Sequence, residues 1–166
     1  IADGDWSSDV CSSDLLLSID VTTRTSTTHD VEDVLSSFIG GRGVATKLAF
    51  DRVPFEADPL GPDNRLYLST GPMQYATTSF TGRMNATAIS PLTGGIASSN
   101  AGGFVSRHFT ATGISALELT GASDELLVLH VTDDGVEFEG VPHLEGATIP
   151  EVNDYLDREH DLGPAH

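Results

Sequence analysis

The hydrophobic spacing changes period partway along the chain, and that change limits the fold more than any other feature. From Val31 the apolar positions run Val31, Val34, Leu35, Phe38 and Ile39. Spacing of i, i+3, i+4, i+7, i+8 lays one apolar stripe along a helix. It predicts a helix over about residues 30–39, with Thr28 or Asp30 as its cap and Gly40-Gly41 as its stop. A second short helix is expected over about residues 43–51, with Leu48 and Ala49 turned inward. Pro54, Pro59, Gly61 and Pro62 then mark a loop. Past Leu66 the chain turns β. Leu66–Thr70, Met84–Ile89, Ile114–Thr120, Leu126–Thr132 and Val136–Glu139 read as strands, with Leu15–Val21 as an earlier one. Asp134-Gly135 is the hairpin signal between the last two. The glycine- and serine-rich stretches between strands, densest from Ser90 to Gly103, read as loops. Two short N-terminal helices followed by many strands define an α+β, sheet-dominated domain.

Size and charge narrow the partners. The chain has 166 residues, room for one domain. Its 25 acidic and 8 basic residues give a net charge of −17. A surface of that sign excludes nucleic-acid or anionic-membrane binding through a general basic patch. Lys47 is the only lysine. An acid-coated, lysine-poor chain is similar to proteins of salt-loving microbes, whose carboxylates stay hydrated at high salt. No apolar run reaches the roughly 18–20 residues of a membrane span, and no signal peptide opens the chain, so a cytoplasmic protein is expected.

Residues 1–14 are set aside as a leader. Ser7-Ser8-Asp9 and Ser12-Ser13-Asp14 repeat within it, as in a flexible Ser/Asp segment or translated adapter sequence. The chain is expected to be a fragment whose domain occupies residues 15–166. The leader holds Cys11, the only cysteine, which rules out a multi-cysteine zinc or iron–sulfur site within this chain.

Most local motifs are weak. Gly40-Gly41-Arg42-Gly43 lacks the preceding strand and the G-x-G-x-x-G spacing of a dinucleotide site, and reads as a tight corner between helices. His108, His130 and His143 are too scattered to show metal-ligand spacing. There is no G-x-S-x-G elbow. The segment from Thr81 to Phe104 is denser in signal. Arg83 stands at the mouth of a strand, Ser90-Pro91-Leu92-Thr93-Gly94 forms a corner at its end, and Asn100-Ala101-Gly102-Gly103 follows. Glycines at that density let backbone approach a large ligand, and a guanidinium is a planar fork suited to phosphate or a heterocycle. On the residues alone, a run of β-turns explains the segment equally well.

Taken in order along the chain, these motifs resemble the N-terminal domain of the tungsten-containing aldehyde ferredoxin oxidoreductases. The resemblance continues through Ile19–Thr23, Gly40–Gly43, Asp58–Asn64, Thr70–Pro72, Gly113–Gly121 and Pro142–Gly146, about residues 15 to 157 in all. It departs over Gln74–Phe80, where small residues are commoner, and at Met84, where an aromatic is frequent. The family oxidises aldehydes to carboxylic acids, with ferredoxin as electron acceptor, at tungsten or molybdenum held by two pterins. The resemblance implies that this domain is a β-rich base for the bis-pterin and contains no catalytic residue. It implies that Arg83 lies between a pterin and a 4Fe-4S cluster bound by later domains. It implies that the Asn100 backbone carbonyl ligates a magnesium ion joining the pterin phosphates, and that Ala101, Gly102 and Gly103 line the same pterin. A homodimer is in keeping with it. The alternative from another class is a non-catalytic, acidic, β-rich module that binds a ligand or a protein.

Overall fold

The computed structural model describes residues 14–75, 82–103, 105–132 and 134–160. Along the chain run β1 (Leu15–Asp20), β2 (Thr25–Asp30), α1 (Glu32–Phe38), α2 (Gly41–Arg52), β3 (Leu66–Thr70) and β4 (Arg83–Ile89). They are followed by β5 (Ile96–Gly102), α3 (Val105–Ala111), β6 (Ala116–Thr120), β7 (Leu127–Thr132), β8 (Gly135–Gly140) and α4 (Ile149–His160). Six strands form one mixed sheet in the order β2-β1-β6-β3-β4-β5, while β7 and β8 make a separate hairpin. Within the large sheet β1 and β6 run parallel, and the other neighbours are antiparallel.

Both faces of the sheet are covered, so its central strands carry apolar side chains in both directions. On one face Leu16, Tyr67 and Ala116 pack against Val44, Ala45, Leu48 and Ala49 of α2, with Val34 and Leu35 of α1 beside them. On the other, Leu17, Ile19 and Leu117 pack against Phe109 of α3 and against Leu129, Val131, Val136 and Phe138 of the hairpin. The expected sheet-dominated architecture with two N-terminal helices is present. Among the described residues no helix is long and apolar enough to cross a membrane.

Four elements escape the periodicity reading. β2 (TSTTHD) and β5 (IASSNAG) carry no buried residue and no apolar alternation, yet both form as edge strands templated by β1 and β4. Helix α3 lies in a stretch between strands that reads as loop, and α4 follows the last strand, where the sequence reading assigns no element. At the first helix Asp30 takes up the Glu32 N–H at 2.9 Å, whereas Thr28 sits inside β2 opposite Leu17. Gly135, expected in the hairpin turn, is already paired with Thr132 in the ladder. The leader lies outside the described residues as far as residue 13. Asp14 is within them, and its carbonyl accepts the Val31 N–H at 2.7 Å.

Candidate functional site

One end of the sheet gathers most of the sequence-predicted residues. β4 is antiparallel to both neighbours, so β3 ends, β4 begins and β5 ends at the same place. Helix α2 starts there too: the Ser69 hydroxyl donates to the Gly41 carbonyl at 2.7 Å. A Cβ on Gly40 would meet Thr70 O at 2.8 Å and Gly71 Cα at 3.0 Å, and one on Gly43 would meet Phe38 O at 2.9 Å. The Gly40–Gly43 corner is therefore bare because two helices and a strand end converge on it, as a helix–helix corner requires. Its cost is about 1 kcal/mol per glycine within α2. Burial of Val44 and Leu48, worth roughly 1.5–3 kcal/mol each, offsets it. Gly82 has φ +113°, and a Cβ there would approach Gly103 O at 3.2 Å. Gly103, at φ +117°, turns the chain from β5 into the segment that leads to α3.

Arg83 pairs directly with Gly102, Met84 with Ala101, and Asn85 with Asn100. By strand alternation Arg83, Asn85, Asn100 and Gly102 share the face that α2 covers, and Ala101 points to the opposite one. The Asn85 amide donates to Ser98 Oγ at 2.7 Å, Ser99 O at 3.0 Å and Asn100 Oδ1 at 3.1 Å, which ties β5 to the sheet. Arg83 is exposed, with its carbonyl accepting from the Gln74 side chain at 3.0 Å. Two buried polar atoms here, Gln74 Oε1 and Ser106 Oγ, have no hydrogen-bond partner among the described residues. Every residue of β5 is exposed, and all except Ile96 and Asn100 are no larger than serine. A sheet edge so bare admits close approach of another surface or ligand.

The charges at this end are unusual for so acidic a chain. Arg24 pairs with Glu125, Lys47 with Asp51, Arg158 with Glu159, and Arg52 and Arg65 with Glu118. Arg42, Arg83 and Arg107 have no carboxylate partner among the described residues. They sit in the first turn of α2, at the start of β4 and in α3, elements that all begin at this end of the sheet. The arrangement offers unneutralised guanidinium groups beside open backbone, which is what an anionic, planar ligand needs.

A second polar feature lies elsewhere. A cleft of about 360 Å³ over β1, β2 and β6 is lined by Arg52, Arg65, His29, Thr25 and Glu118, among others. Its cations are already committed. Glu118, 2% exposed, accepts from Tyr67 Oη at 2.6 Å, Ser18 Oγ at 2.6 Å and Arg65 at 3.0 Å, with Arg52 at 3.4 Å. Burial opposes the charge on Glu118, but the hydroxyl and guanidinium donors outweigh it and hold the carboxyl below its ordinary value. Burial and the adjacent carboxylate push the Tyr67 hydroxyl far upward. Both guanidiniums are already directed at this one carboxylate, and Asp20 also lines the cleft, so the network joins strands rather than presenting open cations to a ligand.

The Ser90–Gly94 corner stands at the end of β4, as expected, and is the β4–β5 hairpin turn, with Ser90 N–H bonded to Gly95 O at 2.8 Å. Seven residues, roughly 23 Å of strand, separate it from Arg83. Two expectations need correction. Asn100–Gly102 is strand rather than loop, and the left-handed backbone falls on Gly103, not Gly102. Lastly, His130 is not isolated: it contacts Glu139 and His160, a grouping hidden in sequence because its third member is on α4. The departing segment Gln74–Phe80 is described only to Tyr75, and there Gln74 anchors the start of β4.

Fold and site together define a sheet platform covered on both faces, with exposed arginine and small-residue backbone at its glycine-rich end. The family description "Aldehyde ferredoxin oxidoreductase, N-terminal domain" matches residues 16–166. The chain belongs to this oxidoreductase family. It is 31% identical over 135 residues to the tungsten-containing aldehyde ferredoxin oxidoreductase of Thermococcus kodakarensis, covering 81% of this chain and 22% of that protein. It is 27% identical over 128 residues to the enzyme of the same name from Pyrococcus furiosus, covering 77% of this chain and 21% of that one. The chain thus spans about a fifth of the length of these curated relatives. Among solved structures it is similar to the active-site complex BamBC of benzoyl coenzyme A reductase in complex with 1,5-dienoyl-CoA. That match has a TM-score of 0.85 at 27% identity and covers 90% of this chain and 23% of that one.

Proposed function

We propose that residues 15–166 form the cofactor-bearing base of a larger oxidoreductase and bind a tungsten (or molybdenum) bis-pterin at the Arg83 end of the sheet. The observation that carries the reading is that Arg42, Arg83 and Arg107, without carboxylate partners among the described residues, lie on elements that begin at the end of the sheet where the exposed, small-residue edge strand β5 ends. The residues present fit such a group. Guanidinium forks suit its phosphates and heterocyclic edges, and the unpartnered Gln74 Oε1 and Ser106 Oγ are further polar atoms at the same end. When bound, the cofactor would supply two-electron redox chemistry at its metal.

This chain's part is positioning. Arg83 would hold its guanidinium between pterin and cluster, anchored through its carbonyl by Gln74. Asn100 would offer its backbone carbonyl to magnesium, a hard cation that prefers oxygen, while its side chain stays bonded to Asn85. Gly102 and Gly103 would bring backbone against the pterin, with Ala101 completing the strand end.

For the whole protein we propose aldehydes as substrates and a ferredoxin as acceptor, as the curated relatives are named. The benzoyl coenzyme A reductase match favours a second reading, in which the same base serves reduction of an aromatic acyl-CoA. Assays of the whole protein with aldehydes and with aryl-CoA esters separate the two.

Tungsten, molybdenum and pterin per folded chain in the whole protein test the site. A Cβ on Gly102 meets nothing within 4 Å among the described residues, so a loss in Gly102→Val reports ligand approach rather than misfolding. Gly102→Val should empty the site, Arg83→Lys should lose part of the cofactor because the planar fork is gone, and Asn100→Ala should stay nearly full. A full site in Gly102→Val with an empty one in Asn100→Ala would refute the assignment.

A further inference from the structure

We propose that His130, Glu139 and His160 bind one divalent transition-metal ion of the zinc class, which fastens α4 to the β7–β8 hairpin. Val128 is paired with Glu139 and His130 with Glu137, so His130 and Glu139 are diagonal neighbours on one face of the hairpin. The other face carries Leu129, Val131, Val136 and Phe138 into the core. Helix α4 lies on the polar face and brings its last residue, His160, to the pair.

The three ligand atoms converge. His130 Nε2 is 2.9 Å and His160 Nε2 is 3.0 Å from the same oxygen, Glu139 Oε2. All candidate atoms lie within 4.8 Å of one another. Zinc bonds of about 2.0–2.1 Å in tetrahedral geometry separate ligand atoms by roughly 3.3 Å, so small side-chain shifts close the set on an ion.

Two further observations favour a ligand over a simple ion pair. His160 Nε2 is buried and, though near the carboxylate, makes no hydrogen bond among the described residues, which leaves a ring nitrogen without the partner burial demands. Glu139 is also held from behind. Tyr155 Oη donates to its other oxygen, Oε1, at 2.6 Å, as an outer partner fixes a metal-binding carboxylate. Two imidazoles and a carboxylate suit zinc, cobalt(II) or nickel(II) rather than magnesium or calcium, which favour all-oxygen sets. Three protein ligands leave a fourth position for water. The site lies across the sheet from Arg83 and needs neither pterin nor tungsten.

The test uses the whole protein containing this chain, stripped with a chelator and re-titrated with zinc(II) alone, with zinc per chain and the zinc-edge X-ray absorption spectrum as readouts. Wild type should take up one more equivalent than His160→Ala or Glu139→Gln, with an imidazole signature that both variants lose. Tyr155→Phe should weaken that equivalent by about tenfold or more, and His29→Ala should leave it intact. Glu139→Gln keeps the side-chain shape, so it decides the matter if a histidine variant fails to fold. Equal zinc content and equal spectra in wild type and Glu139→Gln would overturn the proposal.

Discussion

At the scale of single residues, Glu118 shows how the sheet tolerates a buried charge. Four donors from β1, β3, α2 and the segment before β3 converge on one carboxylate. Removing the charge strands two arginines that are about a third exposed. Glu118→Gln should therefore cost about 1–3 kcal/mol, below the full value of a fully buried pair. Chemical denaturation measures it. The carboxyl titrates lower in the folded chain than its ordinary 4.5. Its contribution is thus present above about pH 4.5 and is lost as pH falls through the lower folded value. The stability gap between wild type and Glu118→Gln should shrink over that acid window and stay constant above it. A gap that widens on acidification would contradict the direction. None of this was legible in sequence, because Glu118 alternates among apolar neighbours and reads as an outward strand position. Arg83 was legible, but its distinction from Arg52 and Arg65 was not, since pairing with Glu118 depends on strand order.

The elements separate into those written in periodicity and those imposed by neighbours. α1, α2, β3 and the β7–β8 hairpin follow from apolar spacing and turn residues. β5 does not: its small, polar sequence matches a loop, and pairing with β4 decides its form. α4 had a readable signal, Thr148-x-x-Glu151, in which Glu151 Oε2 accepts from the Thr148 N–H and hydroxyl, both at 2.7 Å. Its apolar residues Ile149, Val152, Tyr155 and Leu156 also keep helical spacing. The α1–α2 corner yields a prediction at this scale. Gly40→Ala forces a Cβ to within 2.8 Å of Thr70 O, so it should destabilise the fold by about 1–3 kcal/mol. Gly102→Ala meets nothing and should change stability by less than about 0.5 kcal/mol. Thermal melts of the two variants test the contrast, and equal losses would mean that the corner is not packed as described.

Across the whole molecule, charge and exposure point to conditions and to covering surfaces. With a net charge of −17, repulsion among carboxylates opposes compaction and is screened within about 10 Å at 0.1 M salt. Thermal midpoints should climb from low to molar potassium chloride, and a flat or falling series would remove salt-dependence from the account. Against that acidic background, the three arginines without carboxylate partners among the described residues lie on elements that begin at one end of the sheet, where its barest strand ends. The curated relatives are several times the length of this chain, and the similar solved structure is a benzoyl coenzyme A reductase complex with 1,5-dienoyl-CoA. On the proposed reading, the domain's sequence carries the cofactor base more legibly than it carries the substrate. A structure of the whole protein with its cofactor bound tests this most directly. The account predicts pterin density within hydrogen-bond reach of Arg83 and against Asn100–Gly103. Pterin seated in the Glu118 cleft or on the hairpin face, with the Arg83 end covered by protein alone, would contradict it.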